Sequence, residues 1–74
     1  MEAEARLSRL TEREQAVLRL LVAGKQNKVI AYELGISPRT VEIHRARVME
    51  KTRSRSLSEL VRVAIAGGLS SAAG

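Results

Sequence analysis

The side chains best suited to molecular recognition lie in a short stretch after the chain's single proline. Arginine can donate two parallel hydrogen bonds to guanine, glutamate can accept from the amine of cytosine, and small apolar groups can contact the thymine methyl. At helical spacing, Glu42, Ile43 and Ala46 fall on the same side as Arg47. By side-chain chemistry, these four residues are candidates for contacts to the edges of base pairs. Arg39 and Glu50 fall on the same side of the helix. Arg45 is a further candidate, for a phosphate or a guanine.

A second set of side chains is suited to the phosphate backbone of a nucleic acid. Lysine and arginine neutralise phosphates, and a helix N-terminus adds backbone N–H donors beside them. The predicted phosphate contacts are Lys28, Arg39, Thr40, Arg45 and Lys51. Thr40 also has a simpler interpretation as an ordinary residue of a first helical turn.

The positive charge of the chain is confined to its middle. The 74 residues carry 13 basic and 8 acidic side chains, a net charge of +5. Residues 25–55 contain eight basic against three acidic residues, which is the whole excess. A surface that neutralises phosphates has this distribution, although for a charge excess alone a solvated basic face is roughly as common.

Two short helices joined by a sharp turn would present these side chains. Ala31 lets the helices approach closely, and Gly35 falls where a left-handed residue ends the first one. Ser37 is predicted to be an N-cap, and Pro38 occupies the first helical position, where its missing N–H is no loss. Residues 27–46 therefore predict a helix-turn-helix, a motif that places its second helix in the major groove of DNA.

Capping boxes predict a further helix on each side of this motif. Thr11 with Glu14 starts a helix over about residues 12–23, so Glu14 is interpreted as a helix-start residue rather than a functional acid. Ser56 with Glu59 starts another helix, which ends at the Gly-Gly pair.

The two helices of the motif have predicted bounds and a predicted inner face. The first covers about residues 28–34 with Asn27 as its N-cap, and the second runs from Pro38 to Thr52 or Arg53. The inner face of the second is predicted to consist of Val41, His44, Val48 and Thr52. A lone histidine there is interpreted as a packed, hydrogen-bonded structural residue rather than a metal ligand.

Composition limits the remaining possibilities. The chain has no cysteine, which removes disulfides and thiolate metal sites and favours an intracellular setting. No apolar run has the length of a membrane span. With no cysteine, no aspartate and one histidine, catalysis has little basis, so we expect neither enzymatic activity nor a cofactor or metal. We expect one domain over residues 10–69, a linker or frayed lead-in helix over 1–9, and a flexible tail over 70–74.

One set of residues, spread over positions 10 to about 69, carries a family resemblance. It comprises Leu10 to Glu14, Val17, Leu18, Gly24, Asn27, Lys28, Ile30, Ala31, Leu34, Ser37, Thr40, Val41, His44, Val48 and Lys51. This pattern resembles the LuxR-type DNA-binding domains, which are output domains of NarL- and FixJ-type response regulators and of quorum-sensing regulators. It is particularly similar to the FixJ type, which controls nitrogen-fixation genes. Thr52 departs from the family, which usually has Leu or Met there.

The resemblance implies a compact all-α domain of four helices, with the third in the major groove. It implies base contacts at the positions of Glu42, Ile43 and Ala46. It also implies a homodimer contact on the fourth helix, where Val63 and Ala66 lie off the core stripe. A receiver domain would precede the domain, and its phosphoacceptor would lie outside this sequence, which has no aspartate.

The favoured interpretation is a cytoplasmic, nucleoid-associated transcription activator that binds double-stranded promoter DNA as a dimer, with RNA polymerase as a further candidate partner and no membrane contact. The output domain of a quorum-sensing regulator is an alternative. Another is a protein-interaction module that acts through the fourth helix. RNA binding is disfavoured because the only aromatic residue, Tyr32, cannot form a stacking platform.

Overall fold

A computed structural model describes residues 2–69 of the chain. In this range five α-helices and no strands are present. They are α1 (Glu2–Leu7), α2 (Glu12–Val22), α3 (Asn27–Leu34), α4 (Pro38–Lys51) and α5 (Leu57–Ala66). The all-α fold is confirmed: the four predicted helices are α2 to α5, and α1 is additional. The tail predicted over 70–74 lies outside the described residues. None of the five helices is long and apolar enough to cross a membrane.

The core lies between α2 and α4, with α3 packed against α4 and α5 against α2. All of its buried apolar side chains are aliphatic. They are Leu10, Val17, Leu18, Leu21, Ile30, Ala31, Val41, Val48, Leu60 and Ala64. Each buried Leu, Ile or Val stabilises the fold by about 1.5–3 kcal/mol relative to an exposed one. The helix α4 contributes only Val41 and Val48 to these buried residues. Most of the surface of α4 is therefore left for other contacts.

The predicted start of α2 is confirmed in full. The Thr11 hydroxyl accepts a hydrogen bond from the Glu14 amide at 3.1 Å, and the Glu14 carboxylate accepts one from the Thr11 amide at 3.0 Å. These reciprocal bonds satisfy two amides that the helix cannot pair internally.

The predicted N-cap of α3 is wrong. The cap is Gln26, whose backbone is extended and whose side chain makes no capping hydrogen bond, and Asn27 is the first helical residue. Asn27 Oδ1 instead accepts a hydrogen bond from Arg45 Nη1 at 3.4 Å. The asparagine side chain therefore links α3 to α4 by a hydrogen bond and does not cap α3.

The turn between α3 and α4 has the predicted geometry. Gly35 adopts the left-handed conformation with φ of 67°, where a side chain would be strained. Ser37 Oγ accepts from the Thr40 amide at 3.1 Å, and Pro38 is the first residue of α4. The direction of α4 is therefore set by local chemistry immediately before it.

At the other end of α4, Thr52 is fully buried and its polar group is satisfied. Its hydroxyl donates to the Val48 carbonyl at 2.7 Å and shares a 2.9 Å hydrogen bond with Ser54. This pairing explains how the helix end accepts a threonine hydroxyl in a buried position. At the start of α5, the Ser56 hydroxyl accepts from the Glu59 amide at 3.1 Å, which is the serine half of the predicted capping box.

The short helix α1 packs against α5. Leu7 lies against Gly67 just after α5, so closely that a Cβ at position 67 would collide with the leucine side chain. Arg6 Nη1 donates to the carbonyl of Thr52 at 3.4 Å, at the end of α4. The segment interpreted as a linker or lead-in helix is thus helical over residues 2–7 and in contact with the remainder of the domain.

Candidate nucleic-acid interface

The outer face of α4 presents the four predicted base-contacting residues together. Glu42, Ala46 and Arg47 are exposed, and Ile43 is 41% exposed. A shallow groove on this face is lined by Ile43, Ala46, Arg47 and Glu50. Glu50 is absent from the predicted contacts, although its position three residues after Arg47 places it on the same helix face. The face therefore combines one arginine, two acids and two apolar side chains.

The N-terminal turn of α4 carries two of the predicted phosphate contacts. Arg39 lies 3.6 Å from the Glu42 carboxylate, and the two side chains are 79% and 55% exposed. An ion pair this exposed contributes little free energy, so Arg39 can exchange it for a phosphate. Thr40 Oγ1 is 2.9 Å from Ser37 Oγ, which places two hydroxyls beside the unpaired amides of the helix start.

Arg45 and Lys28 lie where α3 and α4 meet. Arg45 is half-buried and donates to Asn27, the residue before Lys28, and Lys28 itself is exposed. Since a guanidinium has five donors, this one hydrogen bond leaves most of them available to a phosphate.

The fifth predicted phosphate contact, Lys51, is engaged with the protein itself. Its ammonium lies 2.7 Å from the carboxylate of Glu14, which is only 2% exposed. Burial alone would raise the pKa of Glu14. The hydrogen bonds from Lys51 and from the Thr11 amide, together with the positive charges of Lys51 and Arg47, outweigh burial and lower that pKa below its ordinary value. Glu14 is therefore an ionised, buried anchor for the last turn of α4 in addition to its predicted capping role.

His44 lies on the inner side of α4 and is half-buried, as predicted for a packed residue. Its Nδ1 is buried without a hydrogen-bond partner among the described residues, so the predicted hydrogen bonding is not found at this atom. The neighbouring inner-face side chains, Val41 and Val48, are aliphatic and offer no acceptor.

The predicted dimer residues form a separate group on α5. Val63 is half-buried and Ala66 is exposed. Together with Arg62 they line a groove whose other wall is formed by Glu2, Ala3 and Arg6 of α1. The predicted dimer contact thus adjoins α1, a neighbour that the sequence pattern does not indicate.

With this geometry established, comparison with known proteins identifies the family. The family model described as "Bacterial regulatory proteins, luxR family" matches residues 8–64. The chain belongs to this family. It is the LuxR-type helix-turn-helix DNA-binding output domain of a transcription regulator, and the family is not one of enzymes.

Individual relatives agree with this assignment. The transcriptional regulatory protein FixJ of Rhizobium meliloti is 60% identical over 67 residues, which cover 90% of this chain and 33% of FixJ. The tetrathionate response regulatory protein TtrR of Salmonella typhimurium is 49% identical over 53 residues, which cover 72% of this chain and 26% of TtrR. This LuxR-type chain therefore spans about a third or less of the length of these curated relatives.

Solved structures show the same fold. The C-terminal transcriptional activator domain of FixJ from Sinorhizobium meliloti matches with a TM-score of 0.78 and 61% identity, covering 89% of this chain and 84% of that domain. Full-length FixJ from B. japonicum matches with a TM-score of 0.79 and 53% identity, covering 86% of this chain and 32% of that protein. The predicted resemblance to the FixJ type is confirmed.

Proposed function

We propose that this LuxR-type domain recognises a specific sequence in double-stranded DNA by inserting the outer face of α4 into the major groove. The observation that carries the proposal is the contiguous exposed face formed by Glu42, Ile43, Ala46 and Arg47. A helix held rigidly at both ends, by the Ser37 cap and by the contacts of its last turn, fixes these side chains for base readout.

Each proposed contact follows from side-chain chemistry. Arg47 suits guanine, Glu42 suits the amine of cytosine, and Ile43 and Ala46 suit thymine methyl groups. The backbone would be held by Lys28, Arg39, Thr40 and Arg45, which surround the start of α4 and its junction with α3. Lys51, also predicted to contact a phosphate, is paired instead with Glu14.

We further propose that the parent protein is a FixJ-like response regulator that activates transcription as a dimer on two half-sites. Support comes from the FixJ relatives, one of which is named as a transcriptional activator domain, and from their greater length. A single small domain makes few phosphate contacts, so pairing through Val63 and Ala66 would supply the missing affinity. RNA polymerase is the further partner expected of an activator bound at a promoter on the nucleoid. A quorum-sensing type of parent protein remains the alternative.

Charge reversal tests the assignment of the interface. We expect Arg47→Glu to lower affinity at least tenfold for duplexes that the unmodified chain selects from a random library. The matched control is Arg19→Glu, at an exposed arginine on α2 that lines a cavity with residues of α1 and with residues just after α5. Fluorescence anisotropy of labelled duplexes would measure both.

Three outcomes would contradict the proposal. They are equal losses for the two variants, no enrichment of any sequence during selection, or stronger binding to single-stranded RNA than to the duplex. If Arg47→Glu left DNA binding intact while a partner protein still bound through α5, the protein-interaction module would be favoured instead.

A further inference from the structure

The ion pair between Glu14 and Lys51 joins the first turn of α2 to the last residue of α4. One carboxylate oxygen of Glu14 accepts both from the Thr11 amide at 3.0 Å and from the Lys51 ammonium at 2.7 Å. The carboxylate is almost completely buried, whereas the lysine side chain is 32% exposed.

We propose that Glu14 withholds Lys51 from the DNA backbone and so limits sequence-independent binding. The inference rests on the proposed function, because it assumes that the outer face of α4 meets duplex DNA. In this proposal Lys51 stays paired with Glu14 and does not make the phosphate contact that the sequence predicts.

Lys51 is located where a released ammonium could contact bound DNA. It lies four residues after Arg47, so the two side chains are neighbours on one side of the helix. Arg47 is exposed on the proposed DNA-contacting face, and Lys51 lies at the edge of that face. Because a lysine side chain has four flexible methylene groups, Lys51 could reach a phosphate from this edge if its ammonium were released.

Release is opposed by the burial of Glu14. If the ammonium moved to a phosphate, the ionised carboxylate would remain in a water-poor site with the Thr11 amide as its hydrogen-bond donor and Arg47 as the nearby positive charge. The phosphate, in contrast, is already solvated and surrounded by counterions. The exchange is therefore unfavourable for the native chain and becomes favourable when the carboxylate charge is removed.

The salt dependence of binding measures this directly. Each neutralised phosphate steepens the plot of log affinity against log salt concentration by about 0.9. We expect Glu14→Gln to bind a short random-sequence duplex more tightly than the native chain at low salt, with a slope steeper by about that amount. Between about 50 and about 200 mM salt, this variant should lose about 3.5-fold more affinity than the native chain.

Two controls separate release of Lys51 from the change in net charge. Glu12→Gln removes the same charge from an exposed position in the same helical turn, and its slope should stay close to that of the native chain. Glu14→Gln combined with Lys51→Met should return to the native slope, since the released ammonium is gone. A Glu14→Gln slope equal to that of Glu12→Gln, or a double variant that keeps the steeper slope, would overturn the inference.

A measurement on the native chain covers the case in which Glu14→Gln does not fold. In the ¹⁵N-labelled protein, the side-chain ammonium resonance of Lys51 should keep its position when the duplex is added, while that of the exposed Lys28 shifts. A shift at Lys51 as large as that at Lys28 would overturn the inference. If the native chain bound the duplex with no sequence preference, the proposed function would fail, yet an unmoved Lys51 would still support the restraint.

Discussion

Of the acidic side chains in residues 2–69, only Glu14 is buried, and its partner is partly exposed. Because of this difference in burial, removing one partner of the ion pair should cost more stability than removing the other. Removing Lys51 leaves a charged carboxylate in a water-poor site, whereas removing the Glu14 charge leaves an ammonium that can turn toward solvent. We expect Lys51→Met to lower the free energy of unfolding by about 3 kcal/mol and Glu14→Gln by about 1 kcal/mol. Urea denaturation followed by circular dichroism measures both, and the reverse order would contradict the burial argument.

The same residue predicts how stability depends on pH. The pKa of Glu14 is lowered in the folded state, because the Lys51 and Thr11 hydrogen bonds and nearby positive charges outweigh the effect of burial. A lowered pKa means that the stabilisation is complete above the unfolded-state pKa and is lost as pH falls through the folded-state pKa. The difference in melting temperature between the native chain and Glu14→Gln should therefore shrink as pH falls from neutral through the acidic range. For Glu12→Gln, at an exposed position, we expect a much smaller change. A melting-temperature difference between Glu14→Gln and the native chain that stayed constant over this pH range would contradict the lowered pKa of Glu14.

Individual side chains could be predicted where their partners are local. The Thr11–Glu14 capping box and the Ser37 cap involve residues three positions apart, so the sequence specifies them directly. The partner of Lys51 lies 37 positions away and depends on how α2 packs against α4. The predicted Asn27 cap is wrong for a similar reason, since its partner Arg45 lies on the next helix. Long-range polar pairs depend on tertiary packing that a single sequence does not display.

The orientation of the helix α4 depends on the turn before it. The Ser37 hydroxyl satisfies the Thr40 amide at 3.1 Å, and such a cap contributes about 1 kcal/mol. We expect Ser37→Ala to lower the free energy of unfolding by about this amount and to weaken duplex binding. Ser58→Ala, at an exposed position inside α5, is the matched control and should change stability by less than about 0.5 kcal/mol. Thermal denaturation and anisotropy measure the two effects, and equal losses in stability would argue against the cap.

Helix boundaries were predicted to within one or two residues because glycine, proline and capping residues mark them locally. The helix α1 is different. Residues 1–9 alternate small, acidic and basic side chains without a distinct stop signal. The contacts of α1 are instead supplied by residues distant in sequence, since Leu7 packs on Gly67 and Arg6 donates to the carbonyl of Thr52. A helix of six residues is too short to be stable alone, so its packing partner could not be read from its own sequence.

A double-mutant cycle tests this packing. A Cβ at position 67 would collide with the Leu7 side chain and lie 3.3 Å from the carbonyl of Ala3. We expect Gly67→Ala to destabilise the fold by about 1–3 kcal/mol through overpacking. Leu7→Ala should cost about 1–2 kcal/mol through lost burial. When the two are combined, the loss should be smaller than their sum by at least about 0.5 kcal/mol, since the shortened side chain makes room. Strict additivity in urea denaturation would show that α1 does not pack on Gly67 in solution.

The overall size and the charge distribution of the domain are consistent with the proposed binding of one copy to one half-site of DNA. The longest dimension of the described chain is 33 Å, close to one turn of B-DNA at about 34 Å. The net charge of +5 resides in residues 25–55, which include α3, α4 and the turn between them. The segments before and after are neutral overall. In the proposed complex, one copy would occupy one stretch of the major groove of DNA. The groove between α1 and α5 is lined by residues outside the charged segment.

This separation leads to a prediction for pairing on DNA. If α5 provides the dimer contact, a charge at the exposed Ala66 should disrupt pairing without altering the proposed DNA-contacting face of α4. We expect Ala66→Glu to bind a duplex with one selected half-site as tightly as the native chain. On a duplex with two half-sites it should lose at least tenfold in affinity, because the second contact no longer adds avidity. Ser58→Glu introduces the same charge at another exposed position of α5 and should behave like the native chain on both duplexes. Native-like affinity of Ala66→Glu on two half-sites would exclude this face as the dimer contact, whereas equal loss on both duplexes would indicate damage to the fold.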